Sequence, residues 1–376
     1  MKYTTLGMTG ESIPVVGLGM GRGTGNHAKT AAYGTEDEKL IRTGIDMGMT
    51  FIDTAFDYGS GQAEETLGRA VADIRDRVFI ATKFPPEKSS YADVISSAET
   101  SLKRLRTDRI DLFQSHWPNP KVPLEETLRA MDRLVSDGKV RYIGMSNCTI
   151  GEATEARSFL PGTLFASIQQ EYNLLDRTAE SGFLPFCRDN GMTFVGYSPL
   201  AHRRPENHSH RLAMLDEMAG RYAVSPTQVV LAWLTRQEGT VVVMRTSDEH
   251  HLLENARTGD FVFDPEDIDL ISSVFADNVT NVPAALIRVK GDKSQKIYGT
   301  LEEARENAYG LTPSPTDLAA QIKAGEHLKP VKICLDPTAK EAPRYEVVEG
   351  KLRYWAWVIA CGKDVLIPSI VREGVQ

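Results

Sequence analysis

Cysteine is scarce in this chain: Cys148, Cys187, Cys334 and Cys361 are the four in 376 residues. They stand far apart, with no CxxC pair and no metal-ligand spacing. That excludes a zinc ribbon or a disulfide-stapled scaffold and points to reduced thiols, with no metal expected. Long apolar runs are missing too. No stretch reaches the roughly 20 apolar residues of a membrane span, and the opening MKYTTLGMTGESIP lacks the core of a secretory signal. A cytoplasmic protein is the expectation. Nor is there an excess of positive charge: the formal net charge is −8, so neither nucleic acid nor an anionic membrane surface is an expected partner.

What is present suits an enzyme of more than one domain. Hydrophobic residues make up 41% of the chain, enough for a large core, and the length exceeds one ordinary domain. Short apolar runs recur at 15–19, 49–53, 78–83, 110–116, 140–146, 165–170, 193–198 and 240–244. Their hydrophobicity is continuous, not alternating, which marks parallel strands covered on both faces. Helical stretches lie between them, such as EDEKLIRTGIDMG, YADVISSAETSLKRL and LEETLRAMDRLVSDGK. The last places Leu124, Leu128, Met131 and Leu134 on one face and stops near Gly138. Ser225-Pro226 and Asp264-Pro265 each read as an N-cap followed by proline in the first turn. Eight strands in a repeating βα pattern predict an α/β fold, a (β/α)8 TIM barrel, over residues 1–275. A doubly wound sheet would place a helix directly after its first phosphate loop, whereas GLGMGRGTG runs on into a polar segment.

Asp53, Tyr58, Lys83 and His116 each fall at or just beyond the C-terminal end of one of these runs. In a parallel barrel those ends share a rim, so residues distant in sequence meet in one pocket. The set suits proton transfer to a carbonyl oxygen. Tyr58 would give the proton, although a free phenol titrates near 10. Lys83 would lower that value with its charge, Asp53 would hold Lys83, and His116 would orient the carbonyl. The large residues Phe56, Phe84 and Trp117 near the rim would shape a substrate pocket. No side chain donates hydride, so a cofactor is required.

The run FIDTAFDYGSGQAEETLGRAV, followed by TKF, QSHWPNP, GMSN, IQQEYNLLDR and YSPLA, resembles the aldo-keto reductase family from residue 1 to about 275. Asp53, Tyr58, Lys83 and His116 match its catalytic tetrad. The resemblance implies a nicotinamide dinucleotide and an NAD(P)-dependent interconversion of an aldehyde or ketone, such as a sugar or cyclitol, with its alcohol. Ser146, Asn147 and Gln169 match the carboxamide contacts, and Tyr197 the aromatic stacked on the nicotinamide. Ser198 and Leu200 match positions along the pyrophosphate, and Gly19, Met20 and Gly21 join the cofactor set. In VVVMRTSDEHHLLENA, Arg245 and Thr246 occupy the family's adenosine-phosphate positions, with His251 where a second arginine often stands and Met244 in place of the turn proline. An arginine fork suits a 2′-phosphate, so NADP(H) is favoured over NAD(H). Glu254 and Asn255 match the adenine contacts. The loop after YSPLA is short for the family, and its basic cluster His202, Arg203, Arg204, His208 and His210 could meet pyrophosphate or stay solvated. A nicotinamide-binding redox sensor is the alternative class.

Residues 276–299 read as a polar linker, and 300–376 as a small α+β domain. In that tail, LAAQIKAGEHLKPVKICLDP and YEVVEGKLRYWAWVIACGKDVLIPSIV are similar to the ParB/sulfiredoxin-like domain. The likeness implies Arg353, three residues after Gly350, as a ligand for a nucleotide phosphate. Lys351 and Leu352 replace that family's acid and first arginine, which speaks against hydrolysis. A packing or homo-oligomerising role is the other reading of the tail.

Overall fold

Seven of the eight barrel strands begin within a residue of positions where the hydrophobic runs begin, and the buried runs account for the architecture. The computed structural model describes residues 1–22, 32–160, 165–201, 209–275, 279–324, 328, 330–336, 339 and 342–372. The chain divides into two compact units, one built by Met1–Arg204 with His210–Phe275 and the other chiefly by Ala276–Gln376.

The first unit opens with an antiparallel hairpin, β1 (Tyr3–Thr5) and β2 (Ser12–Pro14). Eight parallel strands then close a barrel: β3 (Val16–Gly19), β4 (Phe51–Asp53), β5 (Phe79–Phe84), β6 (Ile110–Ser115), β7 (Val140–Ser146), β8 (Phe165–Glu171), β9 (Thr193–Tyr197) and β10 (Thr240–Met244). β10 pairs with both β9 and β3, so no edge is left open. The joining helices are α1 (Thr35–Asp46), α2 (Gln62–Val71), α3 (Tyr91–Leu105), α4 (Leu124–Ser136), α5 (Ile150–Phe159), α6 (Phe183–Asp189), α7 (Ser209–Tyr222) and α8 (Pro226–Leu234), with α9 (Glu249–Ala256) and α10 (Pro265–Val274) following β10. Ser225 caps α8 through a reciprocal bond pair with Gln228, as the Ser-Pro signal predicts.

Two hydrophobic layers follow from strand alternation. Phe51, Phe79, Ala81, Leu112, Val195 and Val241 fill the barrel, together with Leu6 and Ile13 of the hairpin. Gly7 donates its backbone N–H to Thr193 Oγ1 at the start of β9, which holds the hairpin across the N-terminal end of the barrel. Outward-facing Ile52, Ile80, Phe113 and Ile143 pack against helix faces carrying Leu67, Ala98, Met131 and Leu134. Burying each large apolar side chain contributes roughly 1.5–3 kcal/mol. With its N-terminal end filled, the barrel is open to chemistry at the C-terminal rim.

The second unit holds a five-stranded mixed sheet in the order β11-β15-β13-β14-β12: β11 (Val279–Pro283), β12 (Ile287–Arg288), β13 (Val331–Leu335), β14 (Tyr345–Glu349) and β15 (Leu366–Arg372). Its helices are α11 (Leu301–Arg305), α12 (Pro315–Lys323) and α13 (Lys351–Cys361). Here the reading of 276–299 as a linker is corrected. That segment supplies β11, antiparallel to β15, and β12, parallel to β14. The reason lies in Val282, Ala284 and Ile287, which are buried with Tyr298, Ile333, Trp355 and Ile367 in a core of their own. A few apolar residues among polar ones are enough for an edge strand. No described helix is long and apolar enough to cross a membrane.

Candidate functional site

Asp53 ends β4, and Lys83 is the fifth residue of neighbouring β5. Both side chains turn inward and are almost wholly buried. Lys83 Nζ donates to Asp53 Oδ1 at 2.8 Å, to Asp53 Oδ2 at 2.7 Å and to the carbonyl of Thr54 at 2.9 Å. Gln169 Nε2, from β8, donates to Asp53 Oδ1 at 2.9 Å. Every proton of the ammonium therefore has an acceptor, which is the condition for keeping such a pair out of water.

Tyr58 stands on a tight turn beyond β4 (Tyr58–Gly61), where Gly59 and Ser60 both have positive φ. The turn is tied down from below. Phe56 donates its N–H to Lys83 O at 2.8 Å, and Arg104 Nη1 of α3 donates to Phe56 O at 2.8 Å and to Glu64 Oε2 at 3.1 Å. Thr82 Oγ1 completes this support with a 2.7 Å bond to Glu64 Oε1. Gly61 has φ +98°, and a side chain there would lie 2.4 Å from the Arg104 guanidinium. The Tyr58 ring lies 5.6 Å from Lys83 Nζ and packs edge-on at 5.7 Å to the His116 ring. On its other side a Cβ at Gly21 would come within 3.2 Å of it, so glycine is what the close approach requires. His116, just past β6, is pinned by its own N–H to Phe84 O at 2.9 Å and by Asn147 Nδ2 to its carbonyl at 2.9 Å. Its Nδ1 lies 3.6 Å from Asp57 Oδ1.

The expected depression of the Tyr58 pKa is corrected by this geometry. Burial, and then the charges of Asp53 and Asp57, push the phenol well above its ordinary value. Lys83 does not reverse this, because its charge is spent on Asp53 at contact distance. Tyr58 is thus held in its protonated form. A raised pKa keeps the acid form present at every pH below it, so Tyr58 should show no ionisation up to about pH 9. Ultraviolet difference spectra in which a phenol absent from Tyr58→Phe ionises through pH 7–8 would contradict this.

The residues matched to a dinucleotide lie around the same rim. Asn147 (φ +56°) directs Nδ2 to Ser146 Oγ at 3.0 Å and accepts from Tyr197 OH at 2.7 Å. Gln169 keeps its oxygen free of the Asp53 bond described above. Ser198 adopts φ +52° at the end of β9, and Leu200 packs on the barrel core. Beyond β3, Met20 is buried; its N–H bonds Asp53 O at 2.8 Å and its carbonyl accepts from Tyr33 OH at 2.6 Å. A Cβ at Gly19 would meet the Met244 backbone at 3.3 Å. Arg245, just past β10, bonds Asp37 Oδ1 at 3.3 Å, and Arg22 pairs with the same oxygen. Two guanidiniums converging on one carboxylate oxygen mark a place that favours an anion. Asn255 of α9 is fully buried, and neither of its side-chain polar atoms has a partner among the described residues. Such a group wants the edge of a polar ring. These orphaned atoms and paired arginines fit an adenosine phosphate. Glu254 is half-buried near His250, while His251 is exposed and its backbone N–H bonds the capping Asp248. Thr246 donates to Asp248 O at 3.2 Å.

Of the substrate candidates, Trp117 stands at the rim, 41% exposed. Phe56 lies under the Arg104 guanidinium at 4.4 Å and so belongs to the support of the Tyr58 turn. Phe84 is corrected: it is fully buried, 5.1 Å from Phe113, in the layer between barrel and helices. Alternation explains this, since Lys83 points inward and its neighbour must point out. The basic residues His202, Arg203, Arg204 and His208 lie outside the described residues, and His210 falls in the first turn of α7. In the second unit, Arg353 donates to Pro330 O at 3.0 Å and lies 3.6 Å from Glu349, so the guanidinium is engaged within its own fold.

Asp57, Glu64, Arg104, Arg22 and Asp37 were not among the residues read from the sequence. One had a signal: Glu64 sits on the same face of α2 as buried Leu67 and Val71, an acid where an apolar residue belongs. Arg22, Asp37 and Asp57 look like ordinary surface charges until the rim brings them together.

The aldo/keto reductase family model matches residues 16–276. Methylglyoxal reductase YeaE of Escherichia coli is 34% identical over 246 residues, 65% of this chain and 85% of that protein. Glyoxal reductase of Bacillus subtilis is 28% identical over 280 residues, 74% of this chain and 94% of that protein. An aldo-keto reductase from Klebsiella pneumoniae, solved in complex with NADPH, is 30% identical with a TM-score of 0.67, covering 73% of this chain and 96% of its own.

Proposed function

This chain belongs to the aldo/keto reductase family, and from that premise we propose that it reduces a small aldehyde or ketone to the alcohol, with NADPH as reductant and Tyr58 as proton donor. The observation that carries the reading is the meeting of Tyr58, Lys83, Asp53 and His116 at one barrel rim, with the phenol kept protonated.

When bound at this rim, a nicotinamide would supply hydride to the carbonyl carbon. Tyr58 protonates the carbonyl oxygen, and His116 orients that oxygen on its other side. As the Tyr58 O–H bond breaks, negative charge grows on the phenol oxygen, and the Lys83 ammonium beside the ring stabilises it. Asp53 holds the Lys83 ammonium in place through both of its carboxylate oxygens. Ser146, Asn147, Gln169 and Tyr197 would hold the nicotinamide end, Arg245 and Arg22 the phosphate of the adenosine, and Asn255 the adenine. In the oxidation direction Tyr58 must first lose its proton, a loss that burial and the charges of Asp53 and Asp57 oppose.

Short oxoaldehydes lead among substrates, because relatives from two bacteria are named methylglyoxal and glyoxal reductase. Sugars and cyclitols remain in the same class. The test is steady-state oxidation of NADPH with methylglyoxal, glyoxal and an aldose series. Turnover above the no-enzyme rate supports the reading, and none with any carbonyl sinks it. The cofactor preference has its own check. Arg245→Ala should raise the KM for NADPH by roughly 10–100-fold, the worth of one charge-assisted phosphate bond. The KM for NADH should move little; an equal rise for both cofactors would show that Arg245 does not meet the 2′-phosphate.

A further inference from the structure

Asp57 immediately precedes Tyr58 on the rim turn, and its Oδ1 lies 3.6 Å from His116 Nδ1. The two side chains are sheltered together, 22% and 17% exposed. The backbone of His116 is already fixed by Phe84 and Asn147, which leaves the ring torsion and the site of its proton to be set. Among the described residues, the other titratable groups facing this corner include Tyr58, whose ring touches that of His116, then Tyr197, Tyr33, and Lys83, which is paired with Asp53. Asp57 is therefore the carboxylate placed to choose between the two imidazole nitrogens.

We propose that Asp57 is a positioning residue for the reaction: its carboxylate, 3.6 Å from His116 Nδ1, favours the ring proton on that nitrogen by charge and so leaves Nε2 to face the reacting oxygen. The proposal rests on the carbonyl-reductase reading of the barrel. A carboxylate beside one ring nitrogen determines the tautomer and the ring orientation. With Nδ1–H held by Asp57, a protonated ring offers Nε2–H to a carbonyl oxygen during reduction. The neutral ring, with its proton still on Nδ1, offers Nε2 as an acceptor for the hydroxyl of the alcohol. One carboxylate thus serves both directions without touching substrate.

The test uses the full chain and two variants, Asp57→Asn and Asp57→Glu. NADPH-dependent reduction of methylglyoxal is measured beside nitrogen NMR of histidine-labelled protein, with the His116 signal assigned by its loss in His116→Ala. Asp57→Asn should lower kcat about tenfold or more, leave the KM for NADPH unchanged, and move the His116 proton off Nδ1. Asp57→Glu, with the carboxylate restored on a longer arm, should recover much of kcat and return the Nδ1 signature. Unchanged kcat together with an unchanged His116 signal in Asp57→Asn would overturn the proposal. So would a kcat loss that Asp57→Glu fails to relieve while the His116 signal stays put. If the wild-type chain turns over no carbonyl, the reductase reading fails, and the NMR comparison still decides whether Asp57 holds His116.

Discussion

Replacing Tyr58 with phenylalanine lowers kcat for carbonyl reduction by about 10²–10⁴-fold, the usual worth of a positioned general acid. NADPH affinity is kept, because the ring that packs on Gly21 and His116 remains. Stopped-flow fluorescence of bound NADPH reads affinity, and single-turnover kinetics read the chemical step. The loss should lie in the second and not the first. No described residue hydrogen-bonds the Tyr58 hydroxyl, so its removal strands no partner and the fold should hold. A variant with kcat within threefold of wild type would assign the proton to another group.

The second large effect concerns the buried pair. Asp53→Asn leaves the Lys83 ammonium without its carboxylate in a site closed to water, and loss of one partner of such a pair costs roughly 3–5 kcal/mol. Lys83 will then give up its charge more readily, and the stabilisation of the phenolate that forms on Tyr58 goes with it. The variant should lose both denaturation midpoint and kcat. Replacing both residues, Asp53→Leu with Lys83→Met, removes the charges together. It should recover most of the stability and none of the activity, which separates the pair's structural cost from its chemical use. Urea unfolding of the wild type, the single variant and the double variant is the measurement. A double variant as unstable as Asp53→Asn would show that shape, and not charge, holds this part of the barrel.

Much of this could be read from the residues alone because barrels translate sequence order into space. Continuous apolar runs located all eight strands, and a parallel barrel sends every strand end to one rim. Asp53, Lys83 and His116 therefore had to be neighbours before any distance was known. The linker reading failed because an edge strand needs little hydrophobic signal of its own when a sheet such as β15 supplies the partner. Phe84 failed for a local reason: an adjacent residue on a strand faces the opposite side.

The chain by itself determined the barrel, the reaction class and the residues that end its strands, since period, apolarity and residue type are local properties. Only the tertiary structure decided how the charges are shared. Lys83 is spent on Asp53, so burial leaves the Tyr58 phenol more firmly protonated than its neighbours' types suggest. Asp57 reaches His116, and Arg22 meets Arg245 on Asp37, across gaps of 58 and about 220 residues that no spacing rule connects. Electrostatic energy depends on distance and on the exclusion of water, and both exist only once the barrel has closed.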